Sequence, residues 1–298
     1  MAQAFFDHPY LTGHHEPNRM EVDAPDLIVE GEIPDDLEGI FYRNGPEPAY
    51  PPIEGDYHWF DGDGMVCAFS IQNGRVHFKN RYIRTPKYIE ETAAQKILYR
   101  GFGTQIPGGF RKNLGQMPAN PANTNTIYHG GRLLALNEGG HPWQVDPADL
   151  STVGEFDYEG SLERRQVFSA HGRVHPATGD YINFGAGISG FGLKGPKPCI
   201  NMYRINPQGT LFKKAQIPLD SFPFCHDFAL TDRYALFFVG SIVFGNMLPV
   251  VLGTTTIADQ LWGADWETTR PRLQTAVSSA RGLVAAELGD LAAVVRDE

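Results

Sequence analysis

The chain has only three cysteines, Cys67, Cys199 and Cys225, odd in number and far apart, among 298 residues. That spacing rules out a disulfide framework and fits a reducing cytoplasm. Positive charge is in deficit. Lys and Arg total 25 against 35 Asp and Glu, a net charge of −10. Such an acidic balance disfavours nucleic acid, or an anionic membrane, bound through bulk charge. A local apolar contact with lipid stays open, so the expected location is cytoplasmic with peripheral membrane contact as a variant. No run approaches the ~18 apolar residues needed to span a bilayer. The start, "MAQAFFDHPYLTGHH", has neither a basic nor an apolar leader region, so no signal peptide is expected. Most telling, no histidine follows His226, although ten occur in all.

What is present is a punctuated all-β pattern. Gly (33) and Pro (22) recur at short intervals. Between them lie short strand-like runs at 39–44, 65–71, 75–83, 132–138, 142–146, 180–185, 199–206 and 234–240. Turn signals such as "QNGR", "YHGGR", "DPADL" and "NPQGT" separate them. The segment 88–100 reads as a short helix. Strand, turn, strand without βαβ alternation favours a propeller or a large sandwich. From Trp262 the rhythm changes. Leu273, Val277, Ala280, Val284 and Leu288 recur at helical spacing. Residues 1–261 therefore read as one β-domain. Residues 262–298 read as a divergent helical tail, such as a shifted reading frame would produce.

Two histidines carry the candidate chemistry. His171 in "QVFSAHGRVH" and His226 in "SFPFCHDFAL" each follow an apolar stretch and open a turn–strand unit. Neutral imidazole ligates iron, zinc and copper, and several must converge to hold a divalent ion. A pair on neighbouring strands would be half of a metal site; a lone histidine in a strand is more often a packed core residue. His175 lies in the hairpin signal "HPATGD" and is expected to be exposed. Glu138 ends the apolar run "RLLALNE". One use for it is to accept the other N–H of a metal-bound imidazole, fixing its tautomer; the alternative is a strand-end carboxylate facing water. "DGDG" at 61–64 is the one hint of a carboxylate-liganded hydrolase, and a tight turn explains it as well.

Five ordered motifs make the chain recognisable: "GIFYRNGPEPAY" (39–50), "HWFDGDGMVCAF" (58–69), 123–154, "SAHGRVHPATGDYINFG" (169–185) and "CHDFALTDRYALFF" (225–238). Over about residues 5–261 the chain resembles the carotenoid cleavage oxygenase family, which includes apocarotenoid and lignostilbene dioxygenases. The resemblance implies a seven-bladed β-propeller capped by loops and helices, here only in part. It implies Fe(II) on the axis, held by four histidines backed by glutamates. By motif, His171 and His226 match the first two ligands and Glu138 the first glutamate; nothing here matches the third and fourth histidines. The implied reaction is cleavage of a conjugated C=C bond with O2, giving two carbonyl products. The partners are then an apolar polyene and O2.

Lignostilbene-cleaving relatives carry a lysine just before that glutamate. Asn137 stands here, which points to a carotenoid or apocarotenoid, with a stilbenoid as the alternative. Phe191, Leu193, Phe222 and Phe224 are candidates for an apolar tunnel rim, and ordinary core serves equally well. The two unmatched histidines raise the competing reading of a truncated, inactive pseudoenzyme or binding scaffold. Oligomeric state is not legible in the sequence.

Overall fold

A computed structural model describes residues 5–53, 57–192, 195–219, 222, 224–238, 247–262, 283–287 and 293–295. The strands are β1 (Asp23–Ala24), β2 (Gly39–Glu47), β3 (Asp63–Gln72), β4 (Arg75–Tyr82), β5 (Asn125–His129), β6 (Arg132–Leu136), β7 (Trp143–Val145) and β8 (Thr152–Glu155). They continue as β9 (Arg173–Val174), β10 (Tyr181–Gly192), β11 (Gly195–Ile205), β12 (Leu211–Pro218), β13 (Ala229–Leu230), β14 (Tyr234–Phe238), β15 (Leu283–Glu287) and β16 (Ala293–Val295). They form four four-stranded antiparallel sheets, in the orders β1-β4-β3-β2, β5-β6-β7-β8, β12-β11-β10-β9 and β13-β14-β15-β16. Each sheet is built from consecutive strands, the pattern of propeller blades.

Burial on both faces explains why the middle strands read as continuous apolar runs. On β6, Leu133 and Ala135 pack towards the first sheet with Val66, Ala68 and Val145. The alternate residues Leu134 and Leu136 pack towards the third, with Phe168, Tyr181, Tyr203 and Ile205. On β10 and β11, Ile182, Phe184, Ile200 and Met202 turn to the fourth sheet and meet Phe228 and Phe237. A period of two thus supplies two cores per strand. Asparagines tie neighbouring sheets together near one end. Asn44 Nδ2 on β2 donates to the Ala122 and Asn125 carbonyls, at 2.7 and 3.1 Å. Asn125 Nδ2 on β5 donates to Ala170 O at 2.9 Å.

Among the described residues, four short α-helices lie outside the sheets and make up a cap: α1 (Pro86–Ala94), α2 (Phe110–Asn113), α3 (Leu248–Val251) and α4 (Ile257–Trp262). Helix α1 begins where Thr85 accepts from Tyr88 N–H, with Pro86 in the first turn. It ends at Gln95, whose φ of 54° is left-handed, so it stops short of the expected residue 100. Arg100, 1% exposed, fastens the cap by donating to the carbonyls of Gln116, Val250 and Thr255.

The tail departs from expectation. Residues 283–287 and 293–295 are strands, not helix: β15 pairs with β14 from Tyr234↔Glu287 to Phe238↔Leu283, and β16 pairs with β15. An edge of β14 would otherwise present a row of unpaired N–H and C=O groups, and pairing satisfies it. Short apolar runs fit helix and strand periods alike, and the neighbouring strand decided. Leu273, Val277, Ala280 and Leu288 lie outside the described residues.

Candidate metal centre

The ends of three sheets meet at one place. Glu138 follows β6, His171 stands two residues before β9, and His226 stands just before β13. Neither histidine lies within a strand, contrary to expectation; each sits in the entry turn, which frees its ring to point past the sheet end. A potential ligand atom from each of the three residues lies within 4.8 Å of the other two. The two imidazole rings are 4.4 Å apart, centroid to centroid, at 65°. His226 Nδ1 is 2.7 Å from Glu138 Oε1. The His226 side chain is 55% exposed.

Local chemistry explains the placement. The backbone before His171 is pinned by Asn183, which is fully buried. Asn183 Oδ1 accepts from Ser169 N–H at 3.0 Å, and its Nδ2 donates to Ser169 O at 2.9 Å. Gly172, directly after His171, faces the buried Tyr181 ring, and a Cβ there would meet Tyr181 Cζ at 2.2 Å. The Arg173 guanidinium donates to Asp227 at 2.6 Å, bridging the two histidine-bearing turns. That pair is 42–43% exposed, so it orients more than it stabilises.

The electrostatics push the three groups apart. Burial pushes the Glu138 carboxyl up, but the hydrogen bond from His226 and the nearby imidazoles outweigh it and hold it below the usual carboxylate range. The Glu138 hydrogen bond lifts the His226 imidazole above its usual value. Burial, then the neighbouring His226, lowers the His171 imidazole below its usual value. Neutral imidazole with a free nitrogen lone pair is the form that binds a metal. His171 Nε2 is buried without a hydrogen-bond partner, a costly state that a metal ion would relieve. With His226 Nδ1 turned to Glu138, its Nε2 remains to face an ion. Nitrogen donors backed by a carboxylate suit a first-row divalent metal.

The other expected residues are distributed differently. Asn137 turns its amide inward, donating to Asn123 Oδ1 and Thr124 Oγ1, both at 3.1 Å. Phe191 is 78% exposed at the end of the β10–β11 hairpin, where Gly192 pairs with Gly195. Ser169 bonds to Phe184 and Arg173 pairs with Ile182, so Phe191 stands roughly 25–30 Å along β10 beyond the His171 level, at ~3.3 Å per residue. Phe222 is half-buried and Phe224 is 37% exposed; Leu193 lies outside the described residues. His175, expected at the surface, is 6% exposed, with Nε2 against Asp232 O at 3.2 Å. "DGDG" is a structural corner. Asp63 and Glu91 hold the buried Lys87 ammonium at 2.7 and 2.9 Å, and Asp61 accepts from Phe102 N–H and Gly103 N–H. Sequence reasoning missed Asn123, Thr124, Asn183 and the Arg173–Asp227 pair. The repeated "NTNT" before a strand was the available signal for the first two.

Known oxygenases are similar to this chain over about four-fifths of its length. The chain is 37% identical over 237 residues to resveratrol cleavage oxygenase 1 of Aspergillus fumigatus, covering 80% of this chain and 46% of that protein. It is 42% identical over 235 residues to the apocarotenoid-15,15'-oxygenase of Synechocystis, covering 76% and 46%. Among solved structures, a variant of the Synechocystis apocarotenoid oxygenase superposes with a TM-score of 0.73 at 38% identity, covering 82% of this chain and 51% of that one. A cobalt-substituted form of that enzyme matches at 0.72. The chain thus spans about half the length of the curated relatives it matches. The retinal pigment epithelial membrane protein (RPE65) family model matches residues 15–272, and the chain belongs to this family of carotenoid oxygenases.

Proposed function

We propose that the chain carries one half of the Fe(II) centre of an oxygenase that cleaves a conjugated C=C bond of a carotenoid or apocarotenoid with O2, giving two carbonyl products. One observation carries the reading: His171 Nε2 is buried and unpartnered beside the His226 imidazole, whose Nδ1 lies 2.7 Å from Glu138 Oε1. His171 and His226 would hold the metal, and Glu138 would fix the His226 tautomer. Bound iron(II) would supply the one-electron chemistry that makes O2 reactive towards an alkene.

The chain's own residues set the surroundings. Gly172 lets the His171 turn approach Tyr181, and Asn183 and Asn125 hold the backbone on either side of Ala170. Asn137 offers no free amide, since both its N–H groups and its Oδ1 are engaged within the protein. That favours an apolar polyene over a phenolic stilbene at this position. Phe191, with Phe224 nearer the centre, is suited to an apolar rim that takes substrate from lipid. Among the described residues, no helix is long and apolar enough to cross a membrane.

Two imidazoles alone would hold iron more weakly than the four histidines that the resemblance implies. That weakness favours the second reading, a binding scaffold without turnover of its own. Anaerobic Fe(II) titration of the purified chain tests the proposal. Saturable binding of one ion, lost in both His171→Ala and His226→Ala, is expected. Binding that survives both substitutions refutes the centre. Apocarotenal consumption with 18O2 label in both carbonyl products separates enzyme from scaffold.

A further inference from the structure

A cleft of about 350 Å³ opens between the first and second sheets. Its walls are Glu21, Arg81 at the end of β4, Arg84 just beyond it, and the β7–β8 turn from Asp149 to Thr152. None of these residues belongs to the candidate centre. Arg81 pairs across the first sheet with Val66, whose side chain packs towards the second sheet, so the guanidinium points the same way. The turn opposite is firmly held. Leu150, with a φ of 62° and 1% exposed, is set into the core between the two sheets. Its N–H donates to Asp146 O at 2.9 Å, and Asp146 N–H donates to Ser151 O at 2.8 Å.

The charges around the cleft are unevenly matched. Glu21 is engaged at both oxygens: Oε1 accepts from Tyr82 N–H at 2.9 Å and Oε2 from the Arg84 guanidinium at 2.7 Å. Asp149 Oδ1 accepts from Ser151 N–H at 2.8 Å. The Ser151 hydroxyl and N–H, with the Lys79 and Arg81 charges further off, hold the Asp149 carboxyl below the usual carboxylate range. Arg81 differs from its neighbours. It is half-buried, and its Nη1 donates to two carbonyls, Val22 O at 3.0 Å and Asn80 O at 2.7 Å. Among the described residues no carboxylate lies within 4.0 Å of this guanidinium, and its Nε and Nη2 have no acceptor.

A guanidinium is weakly hydrated and presents a planar fork that fits two oxygens of an oxyanion. The two carbonyl bonds pin one edge of Arg81, so the free edge is already ordered for a ligand. Thr152 Oγ1 accepts from Arg84 N–H at 2.8 Å, which leaves its own hydrogen to give. A planar carboxylate would spend both oxygens on the fork. A tetrahedral phosphate has a third oxygen for the hydroxyl.

We propose that this cleft is an oxyanion site, taking a phosphate group on the free edge of Arg81 with the Thr152 hydroxyl beside it. Free phosphate and a phosphate-bearing lipid headgroup share that chemistry.

Calorimetric titration of the full chain with inorganic phosphate, against chloride at matched ionic strength, tests it. Saturable binding of one phosphate is expected. Arg81→Met should weaken it at least about 10-fold, as expected for lost hydrogen bonds to a charged group. Asp149→Asn keeps an acceptor for Ser151 and removes a nearby negative charge, so it should tighten binding about 3-fold. No saturable binding overturns the proposal, as does an unchanged affinity in Arg81→Met. Asp149→Asn decides the matter even if Arg81→Met fails to fold: an affinity that does not rise overturns it too. Flotation with phosphatidylcholine vesicles, with and without phosphatidic acid, then separates the sources. A gain with phosphatidic acid that Arg81→Met abolishes supports a site for the headgroup. Equal flotation alongside calorimetric binding supports a site for soluble phosphate.

Discussion

Replacing Gly172 by alanine tests whether the close approach at the candidate centre is real. The Cβ would stand 2.2, 2.3 and 2.4 Å from Tyr181 Cζ, Oη and Cε2. Ordinary carbon contacts begin near 3.4 Å, so ring or turn must yield by about 1 Å. Tyr181 has little room. It is 1% exposed, its ring lies 6.2 Å from Phe168 and 5.5 Å from His129, and its hydroxyl accepts from Asn183 Nδ2 at 3.1 Å. Overpacking of this kind costs roughly 1–3 kcal/mol. Loss of the Asn183 bond adds about 1 kcal/mol more. Urea denaturation of Gly172→Ala should therefore show a loss of about 2–4 kcal/mol. Gly45→Ala on β2, with nothing within 4 Å of the new Cβ, serves as the matched control and should change stability by less than about 0.5 kcal/mol, as surface substitutions do. Because the turn carries His171, Co(II) affinity should fall with Gly172→Ala and not with Gly45→Ala. Equal stabilities for the two variants would refute the packing argument.

The Glu138–His226 pair predicts a pH dependence. His226 is raised, so its contribution is fully present below about 6.5 and fades as pH climbs through the higher folded value. Glu138 is lowered, so its contribution is present above about 4.5 and fades as pH falls through the lower folded value. The stability difference between wild type and Glu138→Gln should thus peak between about pH 4.5 and 6.5 and shrink by pH 8; with His226 more than half exposed it should stay under about 1 kcal/mol. A difference that grows towards pH 8 would contradict the assignment. Lys87→Met should destabilise by about 3–5 kcal/mol in urea melts, since it strands the buried carboxylates of Asp63 and Glu91; an unchanged stability would refute the buried ion-pair argument. Phe191→Asp should lower co-flotation with phosphatidylcholine vesicles, and flotation equal to wild type removes Phe191 from the rim.

Much of the fold was legible because burial on two faces leaves a strong mark. "RLLALNE" and "DYINFG" read as strands from their apolar continuity, and β6 and β10 begin within one residue of those limits. Strands β5, β8 and β12 escaped notice. Their half-exposed faces carry Thr, Tyr, Lys and Gln, and partners rather than patterns define them. The helical reading of the tail failed at 283–287 for the same reason: its backbone meets an open strand edge that no local periodicity reveals.

By itself the sequence named the residues of the candidate centre. It named two imidazoles and a carboxylate through motifs, because ligand chemistry constrains residue type. Tertiary structure decided who touches whom. Fifty-five residues separate His171 from His226 along the chain, yet their rings lie 4.4 Å apart because successive sheets bring their entry turns to one end. It set the Asn137 amide against Asn123 and Thr124. It also buried His175, expected outside. A side chain's identity is local, but its partners depend on how whole sheets stack, and that is fixed by the packing of the cores between them.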